Sequence, residues 1–173
     1  MDKVFEKTRE LGEALLQSEV YKRMKAAEEK AAAEAAIAEA ELCREKGIDL
    51  VITDHHECKD RLPAAVAVGD PHRPDGGYPH KKLSGVGVAF KLAAALCGDQ
   101  EAVLNNYADM VCLGTVADVM PLQGENRVFV SRGLQSLRNT KRPGIAALMA
   151  ESGCEAKNVS ASSIGFMLAP RIN

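Results

Sequence analysis

The chain has 173 residues, of which 46% are hydrophobic and 4% aromatic, and its formal net charge is −2. This length fits one domain, or one domain with a helical appendage. The charge gives no global signal for a nucleic-acid partner and does not exclude one, because a metal site can hold phosphate without a basic surface. With so few aromatic residues, Val, Leu, Ile and Ala must fill the core, as is typical of a parallel sheet covered by helices.

The cysteines and the N-terminus indicate the cellular setting. The five cysteines are an odd number and form no CxxC pair, so reduced thiols are predicted rather than disulfides or a zinc cluster. The first ten residues are highly charged, and no apolar run approaches the roughly 18 residues of a membrane-spanning helix. The sequence therefore predicts a soluble cytoplasmic protein with no membrane partner.

The N-terminal part of the sequence is helical in character. Residues 3 to about 46 contain one glycine, no proline and mostly strong helix formers. Val4, Leu11 and Leu15 share one predicted helix face, and Ser18 is a candidate N-cap that divides the segment into two helices. We expect a helical N-terminal segment over 1–34, followed by an α/β domain over 35–173.

The amino-acid composition changes after Gly47, and glycine is the residue type that commonly ends a helix. The apolar runs at 49–53 and 64–68 predict buried strands, and the Pro- and Gly-rich stretch at 69–87 predicts a loop. Helices are predicted over 86–97, 101–113, 127–137, 143–151 and 160–168. The predicted fold is α/β, with a partial parallel sheet flanked by helices and a long N-terminal helical segment.

Three polar residues, Asp54, His55 and His56, directly follow the first predicted strand. Ligands of open parallel sheets bind beyond the carboxyl ends of the strands. Carboxylate oxygen and neutral imidazole are suitable ligands for Mn, Fe or Zn, so these residues are candidate metal ligands. The alternative is a polar loop in which the backbone satisfies the histidines.

Two aspartates stand in or beside the helix predicted over 101–113. Asp118 lies among apolar residues next to a predicted helix end, where a carboxylate is costly unless it is paired or metal-bound. The alternative interpretation of Asp118 is a helix cap. Asp109 is predicted to be a surface or capping residue.

Further candidates concern phosphate binding. Gly85 and Gly87 precede a predicted helix and could offer backbone N–H groups to a phosphate, or serve only close packing. Arg171 is a candidate bidentate phosphate ligand or an exposed, frayed end. A basic cluster in the loop either meets a DNA backbone or is solvated; it comprises His72, Arg73, His80, Lys81 and Lys82.

These motifs resemble, in order, those of the DHH phosphoesterases and in particular their RecJ branch. The run at 47–57, which contains Asp54-His55-His56, is similar to the third motif of the family. The resemblance to the RecJ branch lies in the segments at 73–79, 83–92, 114–122, 125–127 and 169–173. The resemblance covers about residues 35–173.

The resemblance implies a metal-dependent 5′-to-3′ exonuclease that acts on single-stranded DNA in recombination and repair, with Mn²⁺ or Mg²⁺ as cofactor. It places Asp54, His55, His56 and Asp118 in the metal centre, with the two histidines also in catalysis. The implied chemistry is phosphodiester hydrolysis by two metals, which lower the pKa of a bound water and clamp the reacting oxygens.

The sequence also departs from the family pattern. It contains no Asp-x-Asp-x-Asp-Gly run, and the aspartate of the second family motif is absent. We therefore expect an incomplete metal site, and a catalytically inactive RecJ remnant with a regulatory or interaction role is the alternative. Residues 4–22 resemble the start of the helical YlbF-like proteins, which predicts self-association through the N-terminal helices.

Overall fold

The structure is a computed structural model that describes residues 17–58 and 61–172. The chain divides into two units, one of Met1–Leu50 and Lys59–Val66 and one of Val51–Cys58 and Ala67–Asn173. The predicted helix face of Val4, Leu11 and Leu15 lies outside the described residues.

The first unit contains one long helix, α1, at Glu19–Glu45. It begins directly after Ser18, in agreement with the prediction of a helix start there. The predicted stop at Gly47 is confirmed: Gly47 has a left-handed backbone with φ +68°. Its N–H donates to the carbonyl of Arg44 at 3.1 Å, and the next N–H, of Ile48, donates to that of Cys43 at 2.9 Å.

The second unit contains a small parallel sheet of strands β1 (Val51–Thr53) and β2 (Ala67–Gly69). Its register pairs Val51 with Ala67, Ile52 with Val68 and Thr53 with Gly69. The expectation of a fully buried first strand is wrong, because Val51 is 54% exposed. Side chains alternate between the two faces of a sheet, and in β1 only the central residue, Ile52, is half-buried.

Helices make up most of the second unit, and the predicted ones are present. They are α2 (Gly85–Cys97), α3 (Gln100–Ala117), α4 (Gly124–Arg138), α5 (Pro143–Ser152) and α6 (Ala161–Ser163), with 3₁₀ turns at Ala156–Asn158 and Ala169–Arg171. The predicted last helix differs in type, because α6 widens into a π-helix at Ile164–Leu168.

The third helix of the chain runs past its predicted end at 113. Gly114 does not stop α3, because this glycine serves packing: a Cβ there would lie 2.6 Å from Val86 Cγ1. Helix α4 approaches α3 just as closely, since a Cβ at Gly133 would lie 2.1 Å from Cys112 Cβ. These two glycines let α2 and α4 pack tightly against α3, which carries Asp118 at its end.

Two apolar clusters form the core of the second unit. One contains the edge-to-face pair of Phe90 and Phe129, with ring centroids 4.9 Å apart. The other surrounds the fully buried Leu137, Ile164 and Leu168. The fold class is therefore as predicted, a helix-rich α/β structure with a small parallel sheet. Among the described helices, none has the length and apolar character that crossing a membrane requires.

Candidate metal centre

The Asp54-His55-His56 turn begins where β1 ends. The N–H of Asp54 still donates to the carbonyl of Gly69 in β2 at 3.0 Å, so the position of Asp54 is fixed by the sheet. The carboxylate oxygen Oδ1 of Asp54 then accepts the backbone N–H groups of His55 at 2.7 Å and His56 at 3.3 Å. A side chain that binds the backbone of the next two residues folds the chain into a tight turn and holds both histidines near the carboxylate.

The three side chains of this turn converge. His56 Nδ1 lies 2.7 Å from Asp54 Oδ1, and the two imidazole rings have centroids 4.5 Å apart. One ligand atom from each of Asp54, His55 and His56 lies within 4.8 Å of the others. Burial, the largest single influence on Asp54, raises its pKa, but the hydrogen bonds from His56 and His55 outweigh it and the pKa is below its usual value. The carboxylate is therefore ionised at neutral pH.

Asp118 joins this group from a distant part of the chain. It follows α3 as the C-cap residue, and its Oδ2 lies 3.6 Å from Nδ1 of His55. The His55 side chain is 18% exposed and that of Asp118 is 42% exposed, so the pair opens to solvent on the carboxylate side. The structure thus brings together the four residues that the sequence singled out as candidate metal ligands, and Asp118 also occupies the helix-end position of the alternative interpretation.

The two glycines in the first turn of α2 have different surroundings. A Cβ on Gly85 would lie 3.3 Å from Cδ2 of His55, so this glycine makes room for the imidazole. The N–H of Gly87 donates to Ser84 Oγ at 3.2 Å, which caps α2. That N–H is therefore engaged in the cap of α2, and a Cβ on Gly87 would lie 3.4 Å from atoms of Leu83 and Ser84.

Arg171 and the basic loop make internal contacts. Arg171 Nη1 donates to the carbonyl of Met167 at 2.5 Å and the side chain is exposed. Arg73 donates to the carbonyl of Val68 at 2.8 Å and to Asp75 at 2.9 Å. Lys81 Nζ binds the carbonyls of Pro71 and Gly76. Two cations of the predicted basic cluster therefore stabilise the loop itself.

The prediction that Asp109 is a surface or capping residue is wrong. Asp109 is 4% exposed, and its Oδ2 accepts a hydrogen bond from Nε of Arg142 at 2.8 Å. The physical reason is the distant arginine: Arg142 precedes α5 and reaches back to α3, where it compensates the buried charge. Sequence spacing gave no indication of this pairing.

Sequence reasoning missed Asp70, which follows β2 just as Asp54 follows β1. Asp70 Oδ1 accepts the N–H of His72 at 2.7 Å, and its Oδ2 lies 3.5 Å from Cys58 Sγ. Burial and the Asp70 charge raise the pKa of Cys58 to about 11. The strand-end rule that identified Asp54 also applies to Asp70, so this residue was within reach of the sequence.

A buried hydrogen bond connects the segments on either side of His55. Ser84 Oγ and Thr115 Oγ1 are 3.0 Å apart and both residues are almost fully buried. Asn126, also buried, donates from Nδ2 to the carbonyls of Pro121 at 3.1 Å and Lys82 at 2.5 Å. Residue spacing alone does not predict these contacts, because hydroxyl and amide pairs of this kind have no characteristic spacing; the three residues do lie in the RecJ-like segments at 83–92, 114–122 and 125–127.

Comparisons with known proteins identify the family of the chain. The DHH family, N-terminal domain, matches residues 29–115, which is half of the chain. The chain therefore belongs to the DHH family.

Within that family the chain is similar to the single-stranded-DNA-specific exonuclease RecJ. It is 44% identical over 139 residues to RecJ of Bacillus subtilis (strain 168), covering 80% of this chain and 17% of the relative. It is 42% identical over 146 residues to RecJ of Escherichia coli (strain K12), covering 77% of this chain and 25% of the relative. The chain thus spans about a quarter or less of these curated relatives.

Two solved structures of RecJ match the fold. The crystal structure of exonuclease RecJ bound to manganese has a TM-score of 0.65 at 34% identity, covering 80% of this chain and 35% of that one. The crystal structure of RecJ from Thermus thermophilus in complex with Mn²⁺ has a TM-score of 0.61 at 34% identity, covering 74% of this chain and 19% of that one.

Proposed function

We propose that this chain provides the DHH portion of a metal-dependent phosphodiesterase that acts on single-stranded DNA in the cytoplasm, in DNA repair and recombination. The observation that carries the proposal is the convergence of Asp54, His55 and His56, whose ligand atoms lie within 4.8 Å of one another. Support comes from the family membership and from the RecJ relatives, which are named as exonucleases specific for single-stranded DNA.

The donor set fits a divalent cation. Asp54 offers an ionised oxygen and the two histidines offer imidazole nitrogens, and this mixture suits Mn²⁺. Asp118 supplies a second carboxylate 3.6 Å from His55. Mn²⁺ is proposed because both matching RecJ structures contain it, and Mg²⁺ is the alternative cofactor.

When bound, such a metal lowers the pKa of a coordinated water and stabilises the charge on the phosphodiester. The residues of the chain hold and orient the reacting groups. Asp54 fixes the direction of the His56 ring through the 2.7 Å contact with Nδ1, so Nε2 is the ring nitrogen that Asp54 does not engage. His55 is oriented between Gly85 and Asp118. We propose Gly85 and Arg171 as contacts to the phosphate.

The chain alone is proposed to be a weak nuclease. An Asp-x-Asp-x-Asp-Gly run is absent from its sequence, and four residues offer too few carboxylates for two well-compensated divalent ions. We expect one Mn²⁺ to bind, with little or no release of nucleotides from single-stranded DNA.

Calorimetry with Mn²⁺ and a fluorescence binding assay with 5′-phosphorylated oligo(dT) test this function. We expect one Mn²⁺ per chain, DNA binding that requires Mn²⁺, and loss of both in His55→Ala and Asp118→Asn variants. Arg138→Ala, at an exposed position in α4, is the matched control. Mn²⁺ binding that survives both site variants would contradict the proposed ligands, and robust Mn²⁺-dependent DNA hydrolysis would contradict the proposed weak activity.

We also propose that residues 1–34 form a helical segment distinct from the DHH domain at 35–173 and that this segment mediates self-association. Support for the helical character comes from α1, which runs over Glu19–Glu45 and so continues past residue 34 into the proposed DHH domain. Light scattering of the full chain should show a dimer or larger species, and a chain that begins at residue 35 should be monomeric. The same number of chains per particle in the full chain and in the shortened chain would contradict the proposal.

A further inference from the structure

The residue after Asp118, Val119, has an unusual backbone. Its φ is +54°, and among the described residues it is the one non-glycine residue with a positive φ. A β-branched residue rarely adopts this left-handed conformation, because its Cβ is then too close to the backbone. The side chain gains nothing from packing in compensation, since Val119 is 88% exposed.

Other helices in the chain end with the same hydrogen-bond pattern, and they show which residue type normally occupies the left-handed position. At the end of α3, the N–H of Val119 donates to Val116 at 3.1 Å and that of Met120 donates to Thr115 at 3.2 Å. The end of α5 has the same two bonds, from Gly153 to Ala150 at 3.2 Å and from Cys154 to Met149 at 3.0 Å.

Glycine occupies the left-handed position of this motif at the end of α5, with φ +70° at Gly153, and at the end of α1, with φ +68° at Gly47. Glycine is favoured there because it has no Cβ. Valine at the equivalent position after α3 is therefore locally unfavourable, and the backbone geometry alone does not explain it.

The location of Val119 does offer an explanation. It is joined to Asp118, whose carboxylate lies 3.6 Å from His55 in the candidate metal centre and is itself open to solvent. Strained residues that persist in folded proteins are concentrated at functional sites. An exposed isopropyl group on the residue next to a candidate metal ligand is suited to contact the apolar part of a nucleotide ligand.

From this we infer that Val119 is a substrate-contacting residue, whose isopropyl group packs against the nucleoside next to the phosphodiester held at the Asp54, His55, His56 and Asp118 centre. The inference rests on the proposed function, because the ligand is a nucleotide only if this centre handles phosphodiesters. It identifies Val119 as a determinant of affinity for the nucleoside rather than for the metal.

The decisive experiment compares folding stability with ligand affinity in the full chain. Val119→Gly removes both the strain and the side chain, so we expect the melting temperature to rise by roughly 2 °C. We expect the affinity for the dinucleotide pTpT at saturating Mn²⁺ to fall about tenfold, in proportion to the apolar surface that the ligand no longer buries. Val119→Ile, which keeps an apolar branch, should retain the affinity.

The matched control is Gly153→Val, which places valine in the same motif at the end of α5, where a Cβ meets open space. It should lower the melting temperature by a few degrees and leave pTpT affinity unchanged. If Val119→Gly binds pTpT as tightly as the wild type, or fails to gain stability, the inference is overturned. If the wild-type chain binds no pTpT in the presence of Mn²⁺, the proposed function itself fails, and that outcome is distinguishable from equal binding by both proteins.

Discussion

Ser84 Oγ and Thr115 Oγ1 are 3.0 Å apart in the interior, and this contact connects the start of α2 to the last turn of α3. Ser84 directly precedes Gly85, which packs against His55, and Thr115 lies one turn before Asp118. The hydrogen bond therefore sets the spacing of the two segments between which His55 lies. A buried polar contact of this kind specifies position as well as contributing stability.

Thr115→Val removes this hydrogen bond while keeping the shape of the side chain. It leaves Ser84 without its buried partner, so we expect a loss of about 1.5 kcal/mol in the free energy of unfolding. Ser84→Ala should cost more, because Ser84 also accepts the N–H of Gly87 at the start of α2. Urea unfolding of both single variants and of the double variant measures the coupling between the two residues. Purely additive losses would show that the two hydroxyl groups do not interact.

A second network gives the fold a pH dependence. Glu125 binds Lys91 through one carboxylate oxygen and the hydroxyl of Tyr78 through the other. Burial, the largest influence, raises the pKa of Glu125, but the hydrogen bonds from Lys91 and Tyr78 outweigh it and hold the pKa below its usual value. Because the pKa is lower in the folded protein, the ionised network stabilises the fold above the unfolded-state pKa, and this stabilisation is lost as the pH falls through the folded-state pKa.

Glu125→Gln should therefore lower the melting temperature at pH 7 by roughly 3 °C. The difference from the wild type should shrink as the pH is lowered through the folded-state pKa of Glu125, which lies below the usual value of a glutamate carboxyl. Melting curves at several pH values test this, with Glu151→Gln in the exposed part of α5 as the control outside the network. A deficit that stays the same as the pH is lowered through that pKa would show that the network is not electrostatic in origin.

The sequence predicted those features that depend on local chemistry. The stop at Gly47, the helices and the place of Asp54 at a strand end follow from residue types and spacing, and the structure has all three. The extension of α3 through Gly114 was not predictable, because a glycine that ends a helix and one that admits a neighbouring Val86 look the same in sequence.

Contacts between residues far apart in the chain also could not be predicted from the sequence. The burial of Asp109 depends on Arg142, thirty-three positions away, and the 3.6 Å approach of Asp118 to His55 depends on how α3 packs in the second unit. Neither relationship has a local signature. The family resemblance, rather than residue spacing, put Asp118 in the same site as the histidines before the structure showed them together.

The Asp109–Arg142 pair predicts a large stability effect. Nε of Arg142 lies 2.8 Å from Asp109 Oδ2, and its Nη2 donates to the carbonyl of Asn106 at 2.5 Å. Arg142→Met leaves a buried carboxylate without its cation, so we expect a loss of about 2 kcal/mol and a melting temperature lower by roughly 6 °C.

The control for this effect is Arg138→Met at an exposed position in α4, which should change little. The double variant Asp109→Leu with Arg142→Met removes both charges and should recover much of the loss, since an apolar pair of similar size often replaces a buried ion pair without penalty. A double variant that is less stable than Arg142→Met alone would mean that the pair contributes more than charge compensation.

Gly85 links the packing of α2 directly to the candidate metal centre. An added methyl group at this position would approach Cδ2 of His55 at 3.3 Å, a distance at which the imidazole must shift by a few tenths of an ångström. Because metal affinity depends on accurate ligand placement, Gly85→Ala should weaken Mn²⁺ binding about fivefold. The fold itself should be unaffected or slightly stabilised, since alanine is favoured over glycine in a helix.

Gly144→Ala in α5 is the matched control, because a Cβ there meets no atom within 4 Å and the helix preference is the same. Calorimetric Mn²⁺ titrations and melting curves of the two variants separate the effects: equal affinity in Gly85→Ala and Gly144→Ala would show that the position of the His55 ring does not control metal binding.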